Sequence, residues 1–252
     1  MNIHIFIVSH NHGAMIEKLS VAQLLNNDEQ ISVYIKNNCK DVVLENYCLR
    51  NNILLINERY HLGFGANNNY IYKTNKKNKK IKDDDYIIIL NPDVNVTTCV
   101  IKELINTMHK DNISIASINL YKDDNFTLFD NSIRNWPTFK DFFSSFIGKK
   151  NKSIIDKNLI HEPVHIDWAA GSFLALSASL YNKLKGFDEG YFMYCEDIDI
   201  CYRASILQER MMYYPHFKAV HYAAHANRKI FSKHFFWHLK SICRFLLIKN
   251  MK

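Results

Sequence analysis

Asp93 stands just behind an unbroken apolar run, Tyr86 to Leu90, in the stretch DYIIILNPDV (85–94). A carboxylate held there can ligate a hard divalent cation carrying a diphosphate, since magnesium and manganese favour few carboxylates plus phosphate oxygens. Asn91-Pro92-Asp93 can equally be a turn that caps the next helix, so its company decides. A second acidic group, Glu196-Asp197-Ile198-Asp199, follows a turn rich in glycine and aromatics, Gly186 to Tyr194. A carboxylate aimed from such a turn into a cleft could take a proton from a sugar hydroxyl, although most acidic runs of this kind are solvated helix starts. His221 ends an apolar segment, and lone histidines there are more often packed or surface residues than ligands; His216 and His225 are weaker candidates. His10 and His12 flank Asn11 behind the first apolar stretch, and a His-x-His pair at a strand end can open a metal-hydrolase site. Gly63-Phe64-Gly65 lacks the third glycine of a dinucleotide loop, which sets nicotinamide binding aside.

The elements that must position these groups follow from periodicity. Tyr86 to Leu90 is too short for a helix and β-branched enough for a buried parallel strand. Pro92 stops its ladder, and Asp93 then lies beyond a carboxyl end, where open α/β sheets place ligands. Ile3 to Val8, Ile31 to Ile35 and Ile53 to Ile56 read as earlier strands, with helical patterns through Leu25, from Val42, and after Gly63. Thr97 or Thr98 caps a helix to His109, and Ile113 to Ile118 return a strand. This alternation over about the first 110 residues predicts a Rossmann-like, mostly parallel sheet flanked by helices. Tyr121 to Pro163 shows no clear period. From His165 the order resumes: a strand to Trp168, the small-residue turn Ala169-Ala170-Gly171, an apolar stretch Ser172 to Leu176, a helix opened by Glu196-Asp197, and strands Met211 to Tyr214 and Phe217 to Val220.

With 48% hydrophobic and 23% charged residues the chain is expected to be globular, one large domain over 1–225 with a basic, aromatic, helix-compatible tail over 226–252. Its net charge of +7 favours an anionic partner. The tail suits the interface of an anionic membrane, though a partner helix or a packed final helix is as compatible. No stretch reaches the ~20 apolar residues of a membrane span. MNIHIFIVSHN reads as a first strand rather than a signal peptide, and six scattered cysteines without a CxxC pair read as reduced thiols, so a cytoplasmic protein is expected.

Six blocks in this order, IFIVSHN (5–11), IKNNCKD (35–41), LGFGANNN (62–69), IILNPDV (88–94), the long block WAAGSF…CEDIDICYRA (168–204) and VHYAAH (220–225), resemble the family 2 glycosyltransferases of the GT-A fold, most closely their bacterial rhamnosyltransferase-like group. The resemblance implies that Ser9, Asn11 and Asn37 line the nucleoside pocket and that Asn68 and Asn91 lie near the ribose or diphosphate. It implies a divalent metal, Mg2+ or Mn2+, at Asp93 and His221, with Asn91 in the first acidic position of the family's DxD-type motif. It makes Asp197 the catalytic base of an inverting transfer, and sets Trp168, Gly171 and Ser172 beside the acceptor. The implied partners are a dTDP or UDP sugar, with dTDP-rhamnose the candidate donor, and a saccharide acceptor, polyprenyl-diphosphate-linked, at the inner face of the cell membrane in surface polysaccharide synthesis; no nucleic acid is implied. Lys36 replaces a common aspartate that helps read the base, and a lysine, with donors only, could reach a base carbonyl or a phosphate but no imide N–H. His10 and His61 also depart from the family pattern. A metal-dependent hydrolase at His10 and His12, or a non-catalytic nucleotide-sugar-binding partner, are the competing readings.

Overall fold

The computed structural model describes residues 1–138, 153–223 and 233–250. Four short apolar runs form β1 (Ile3–Ser9), β2 (Ile31–Asn37), β3 (Leu54–Ile56) and β4 (Tyr86–Leu90). They lie parallel in the order β3-β2-β1-β4. The chain builds outward from β1 to β3 and then returns to β1's other side with β4, so β1/β4 is a topological switch point. Their crossovers are α1 (Gly13–Leu19), α2 (Val21–Asn26), α3 (Val42–Arg50) and α4 (Phe64–Lys77). The helix expected through Leu25 is broken at Ser20, whose φ of 54° ends α1 and starts α2.

Beyond β4 come β5 (Val94–Asn95), α5 (Thr98–Lys110), β6 (Ile115–Tyr121), β7 (Ile133–Arg134), β8 (Val164–His165), β9 (Trp168–Ala169) and β10 (Phe173–Ser177). Thr97 caps α5 by accepting the Val100 N–H. α6 (Ala178–Lys183), α7 (Glu196–Ile206), β11 (Met212–His221) and α8 (Lys233–Asn250) complete the described elements. β10 inserts antiparallel between β4 and β6, and β11 lies parallel beside β6. The two strands expected over 211–220 are one strand with an irregularity between Tyr214 and Lys218. β5 and β8 pair antiparallel with β11, and β7 with β9 in a separate small sheet.

Side chains alternate between two apolar layers as strand geometry requires. Phe6, Ile87, Ile89, Leu174 and Leu176 face one layer, while Ile5, Ile7, Ile88, Leu90, Phe173 and Ala175 face the other. Ile242, Phe245 and Leu246 of α8 are buried in the first layer. At about 2 kcal/mol for each buried side chain of this size, that docking is substantial. Residues 226–232 of the expected tail, and His225, lie outside the described residues.

Candidate active site

The strand directions gather the site on one edge. β1, β2 and β4 end there, with Ser9 in register with Asn37. β10 runs the opposite way, so it begins where β4 ends: Phe173 pairs with Leu90, and the Asn91 N–H donates to the Ser172 carbonyl at 3.0 Å. β11 ends on the same edge, where His221 pairs with Val94 just behind Asp93. A cavity of about 600 Å3 opens over these ends, with His10, His12, Asn38, His61, Asn91 and Asp93 among its walls. Phe192, Met193 and Trp237 of α8 close its far side.

Several predicted nucleotide ligands shape this cavity from behind. Ser9 is buried, and its Oγ accepts the His12 N–H at 3.2 Å, which sets the turn into α1. Asn37 is buried and donates to Asn57 Oδ1 at 2.9 Å, while its own Oδ1 has no hydrogen-bond partner. Asn11 is exposed at a left-handed φ of 63°. Asn68 donates back to the Phe64 carbonyl within α4, whereas its neighbour Asn67 lines the cavity and donates to the Leu62 and Gly63 carbonyls. Lys36 is fully buried; its Nζ donates to the carbonyls of Asn37 at 2.8 Å and Arg59 at 3.3 Å. Burial lowers its pKa to about 8 against the opposing charge of Glu58. Its bond to Arg59 fastens the 57–62 loop, whose His61 and Leu62 face the cavity.

On the metal side, His221 Nε2 lies 3.3 Å from Asp93 Oδ1, and Nδ1 lies 2.7 Å from Asp130 Oδ2. Burial opposes a charged imidazole, but the hydrogen bonds and charges of Asp130 and Asp93 outweigh it and raise the His221 pKa to about 9. Two ligand atoms at this spacing fit one edge of an octahedral ion, roughly 3.0 Å for bonds of ~2.1 Å. Among the described residues there is no cluster of three or more candidate metal ligands. The two-ligand set therefore suits an ion completed by diphosphate oxygens and water.

Asp197 lies in the first turn of α7, behind two residues with left-handed backbone, Tyr194 (φ 71°) and Cys195 (φ 65°). Such backbone is costly and clusters at functional sites. Asp197 Oδ2 accepts the Gly171 N–H at 3.1 Å, and Oδ1 accepts the Ile198 N–H at 2.9 Å. Burial raises its pKa, and these N–H groups and the charge of Arg134 pull it back. Beside it Glu196 is buried with Oε2 unpartnered, and burial followed by the Asp197 charge raises its pKa to about 8. Burial thus pushes both carboxyls of this pair upward. Gly171 joins this carboxylate to the cavity wall: a Cβ there would stand 3.2 Å from Phe64 Cε1 and 3.6 Å from Asp197 Cβ. Asp199 instead bonds Arg203 at 2.7 Å, which reaches the Leu184 and Gly186 carbonyls and so holds the turn before α7.

Trp168 is buried in β9, donating its indole N–H to the Asn135 carbonyl, with Arg134 5.5 Å over its ring. Ser172 is buried with an unpartnered Oγ. Asp130 and Arg134 are functional candidates that sequence reasoning missed; both fall in the aperiodic stretch after Tyr121. His10 and His12 share the cavity with Asp93, and the His10 backbone N–H donates to His12 Nδ1 at 3.0 Å. His216 lies out on β11, 3.7 Å from Glu162.

No family model matches the chain. Rhamnosyltransferase WbbL of Escherichia coli K12 is 38% identical over 249 residues, covering 99% of this chain and 94% of that protein. An N-acetylglucosaminyl-diphospho-decaprenol L-rhamnosyltransferase of Mycobacterium tuberculosis is 35% identical over 81 residues, 32% of this chain and 26% of that one. Among solved structures, a mannosyltransferase from Pyrobaculum calidifontis in complex with GDP-Man and Mn2+ aligns with a TM-score of 0.60 at 10% identity, covering 90% of this chain and 58% of that one. S. aureus TarS in complex with UDP aligns with a TM-score of 0.56 at 11% identity, over 87% of this chain and 60% of that one. The structural likenesses speak for the fold, and the near full-length relative for the family: the chain belongs to the family 2 glycosyltransferases of the GT-A fold, in their rhamnosyltransferase-like group.

Proposed function

We propose that this glycosyltransferase moves a sugar, L-rhamnose from dTDP-rhamnose, to a polyprenyl-diphosphate-linked saccharide during surface polysaccharide synthesis, with inversion at the anomeric carbon. The observation that carries the mechanism is the Asn91–Ser172 and Gly171–Asp197 hydrogen-bond path, which sets one carboxylate beside a cavity that holds another, Asp93. The cavity takes the nucleoside diphosphate, with Asn38, His61 and Asn67 on its walls and Trp237 across from them. Asp93 and His221 would hold the divalent ion, which when bound offsets the negative charge of the leaving diphosphate. Asp197 accepts the acceptor hydroxyl's proton as that oxygen attacks from the face opposite the leaving group. A raised pKa makes the ionised carboxylate a better proton acceptor. The donor assignment draws on the rhamnosyltransferase relatives, and the acceptor on the decaprenol-linked substrate in one relative's name.

Thermal unfolding against dTDP, UDP, GDP and CMP, each with and without Mn2+, tests the donor. A ligand at ~100 Kd adds about 2.7 kcal/mol to the folded state. A metal-dependent shift with dTDP above the others is expected; no shift with any of them refutes the reading. Asp197→Asn should lower kcat by about 10²- to 10⁴-fold with donor affinity kept. Intact function of that variant in cells would instead favour the non-catalytic partner.

Membrane contact is assigned to the outer face of α8. Phe236, Leu239 and Leu247 are exposed there, beside Lys240, while no helix among the described residues is long and apolar enough to cross a membrane. This apolar and basic face suits the headgroup boundary of an anionic bilayer. Phe236→Glu with Leu247→Glu should abolish cosedimentation with phosphatidylglycerol vesicles; unchanged cosedimentation would move the contact elsewhere.

A further inference from the structure

We propose that Asp130 is a positioning residue for the donor-side histidine: it fixes the ring of His221 so that Nε2, the nitrogen beside Asp93, is the one offered to the metal and diphosphate. This rests on the reading of Asp93 and His221 as the metal pair. Asp130 is anchored by its backbone, since its N–H donates to the Leu120 carbonyl at the end of β6, one strand over from His221. Its Oδ2 lies 2.7 Å from His221 Nδ1, and both side chains are about 85% buried. An ionised carboxylate can only accept, so Nδ1 keeps its hydrogen whether or not the ring is charged, and Nε2 is the nitrogen from which a metal would displace a proton. Nε2 is also the one 3.3 Å from Asp93 Oδ1.

The carboxylate is itself held in place. Lys157 is buried nearby, donating from Nζ to the Leu120 carbonyl at 3.2 Å and to Ser132 Oγ at 2.9 Å, and its charge favours ionised Asp130. Phe129 and Tyr213 lie 6.0 and 5.8 Å from Nζ, and this burial lowers the Lys157 pKa to about 7 against the opposing charge of Asp130. Contacts from Asp130 through His221 to Asp93 thus run from the end of β6 to the cavity, with Lys157 acting on Asp130 through its charge alone. Without Asp130 the imidazole could turn about its side-chain bond and present either nitrogen, or either tautomer.

Mn2+ alone, titrated into the purified full chain and followed by the electron paramagnetic resonance of the free ion, separates orientation from bulk stability. Asp130→Ala should weaken Mn2+ binding by about 10- to 100-fold, the effect typical of losing a partner behind a metal ligand. Asp130→Asn, whose amide oxygen can still accept the Nδ1 hydrogen, should recover part of that loss and serves if the alanine variant fails to fold. In a His221→Ala background Asp130→Ala should add nothing, because the residue it positions is gone. Equal losses in both backgrounds would make Asp130 merely structural, and unchanged affinity in the wild-type background would also overturn the proposal. If Asp93→Ala and His221→Ala leave Mn2+ affinity untouched, the metal pair itself falls; if they weaken it and Asp130→Ala does not, only the positioning role falls.

Discussion

Replacing Lys36 with methionine tests whether this lysine reads the nucleobase or fastens the loop beside it. Its ammonium is fully buried and bonded to two backbone carbonyls, and burial lowers its pKa from 10.5 to about 8. Between those values the unfolded chain binds more protons than the folded one, so the lysine's contribution to stability rises with pH across that window. Linkage over about pH 7 to 9.5 gives a gain of about 2 kcal/mol for wild type relative to Lys36→Met. In the absolute offset two effects oppose each other, since methionine removes a buried charge but leaves the Asn37 and Arg59 carbonyls short of a donor. Subtracting urea-unfolding free energies of the two proteins at several pH values cancels the other titrating groups. A flat difference would refute the reasoning, since it would mean a solvated, permanently charged ammonium that a ligand could reach. A second readout separates the roles further. Loosening the 57–62 loop should weaken dTDP, UDP and GDP alike, whereas a loss confined to one base would restore Lys36 as a base-reading residue.

Three further perturbations follow from particular contacts. Gly63→Ala would place a Cβ 2.4 Å from the Phe192 carbonyl oxygen, so the turn that closes the cavity must shift; a rise in donor KM and a stability loss of about 1–3 kcal/mol are expected, checked by steady-state kinetics and urea unfolding. Asp85 accepts from the Asn2 and Lys82 backbone N–H groups and pairs with His4 at 3.1 Å. Burial alone would raise its pKa, but these bonds hold it below the usual carboxylate value, so its stabilisation is present above about pH 4 and is lost as pH falls further; burial keeps His4 below its ordinary pKa, so Asp85→Ala chiefly strips an acceptor from two backbone N–H groups and should cost about 2–3 kcal/mol at neutral pH and flatten that acid limb. Deleting 233–252 removes three buried apolar side chains of α8 and the Trp237 wall together, so thermal unfolding should come earlier and activity on a water-soluble acceptor should fall, where a dispensable tail would leave both unchanged.

The sheet was legible because its strands are runs of isoleucine and valine closed by polar turns, and Pro92 marked where β4 ends. Asp93 stood out by its place behind a buried apolar strand, and Asp197 by the glycine- and aromatic-rich turn before it. What periodicity could not supply was side-chain direction within a polar cluster. Asn67, Asn68 and Asn69 are indistinguishable in sequence, yet Asn67 faces the cavity, Asn68 folds back on its helix, and Asn69 bonds the Phe187 backbone and Tyr181. Asp130 and Arg134 were hidden for another reason: their stretch takes its shape from long-range anchors, the Leu120 carbonyl and the β7/β9 pair, and carries no local repeat. α8 was ambiguous in principle, since it has apolar residues on both its buried and its exposed face.

The antiparallel insertion of β10 explains how one edge can serve both substrates. If β10 ran parallel to β4, its start would lie at the opposite edge and Gly171 could not meet the cavity wall. Running as it does, it brings Ser172 against Asn91 and Gly171 against Asp197, so the distance from the turn bearing Asp93 to Asp197 is fixed by hydrogen bonds of the backbone. The close packing of Gly171 between Phe64 and Asp197 makes that distance stiff. The side chains beyond Asp197, Arg134 and Trp168 among them, and the cavity walls can then vary without moving Asp197 relative to Asp93.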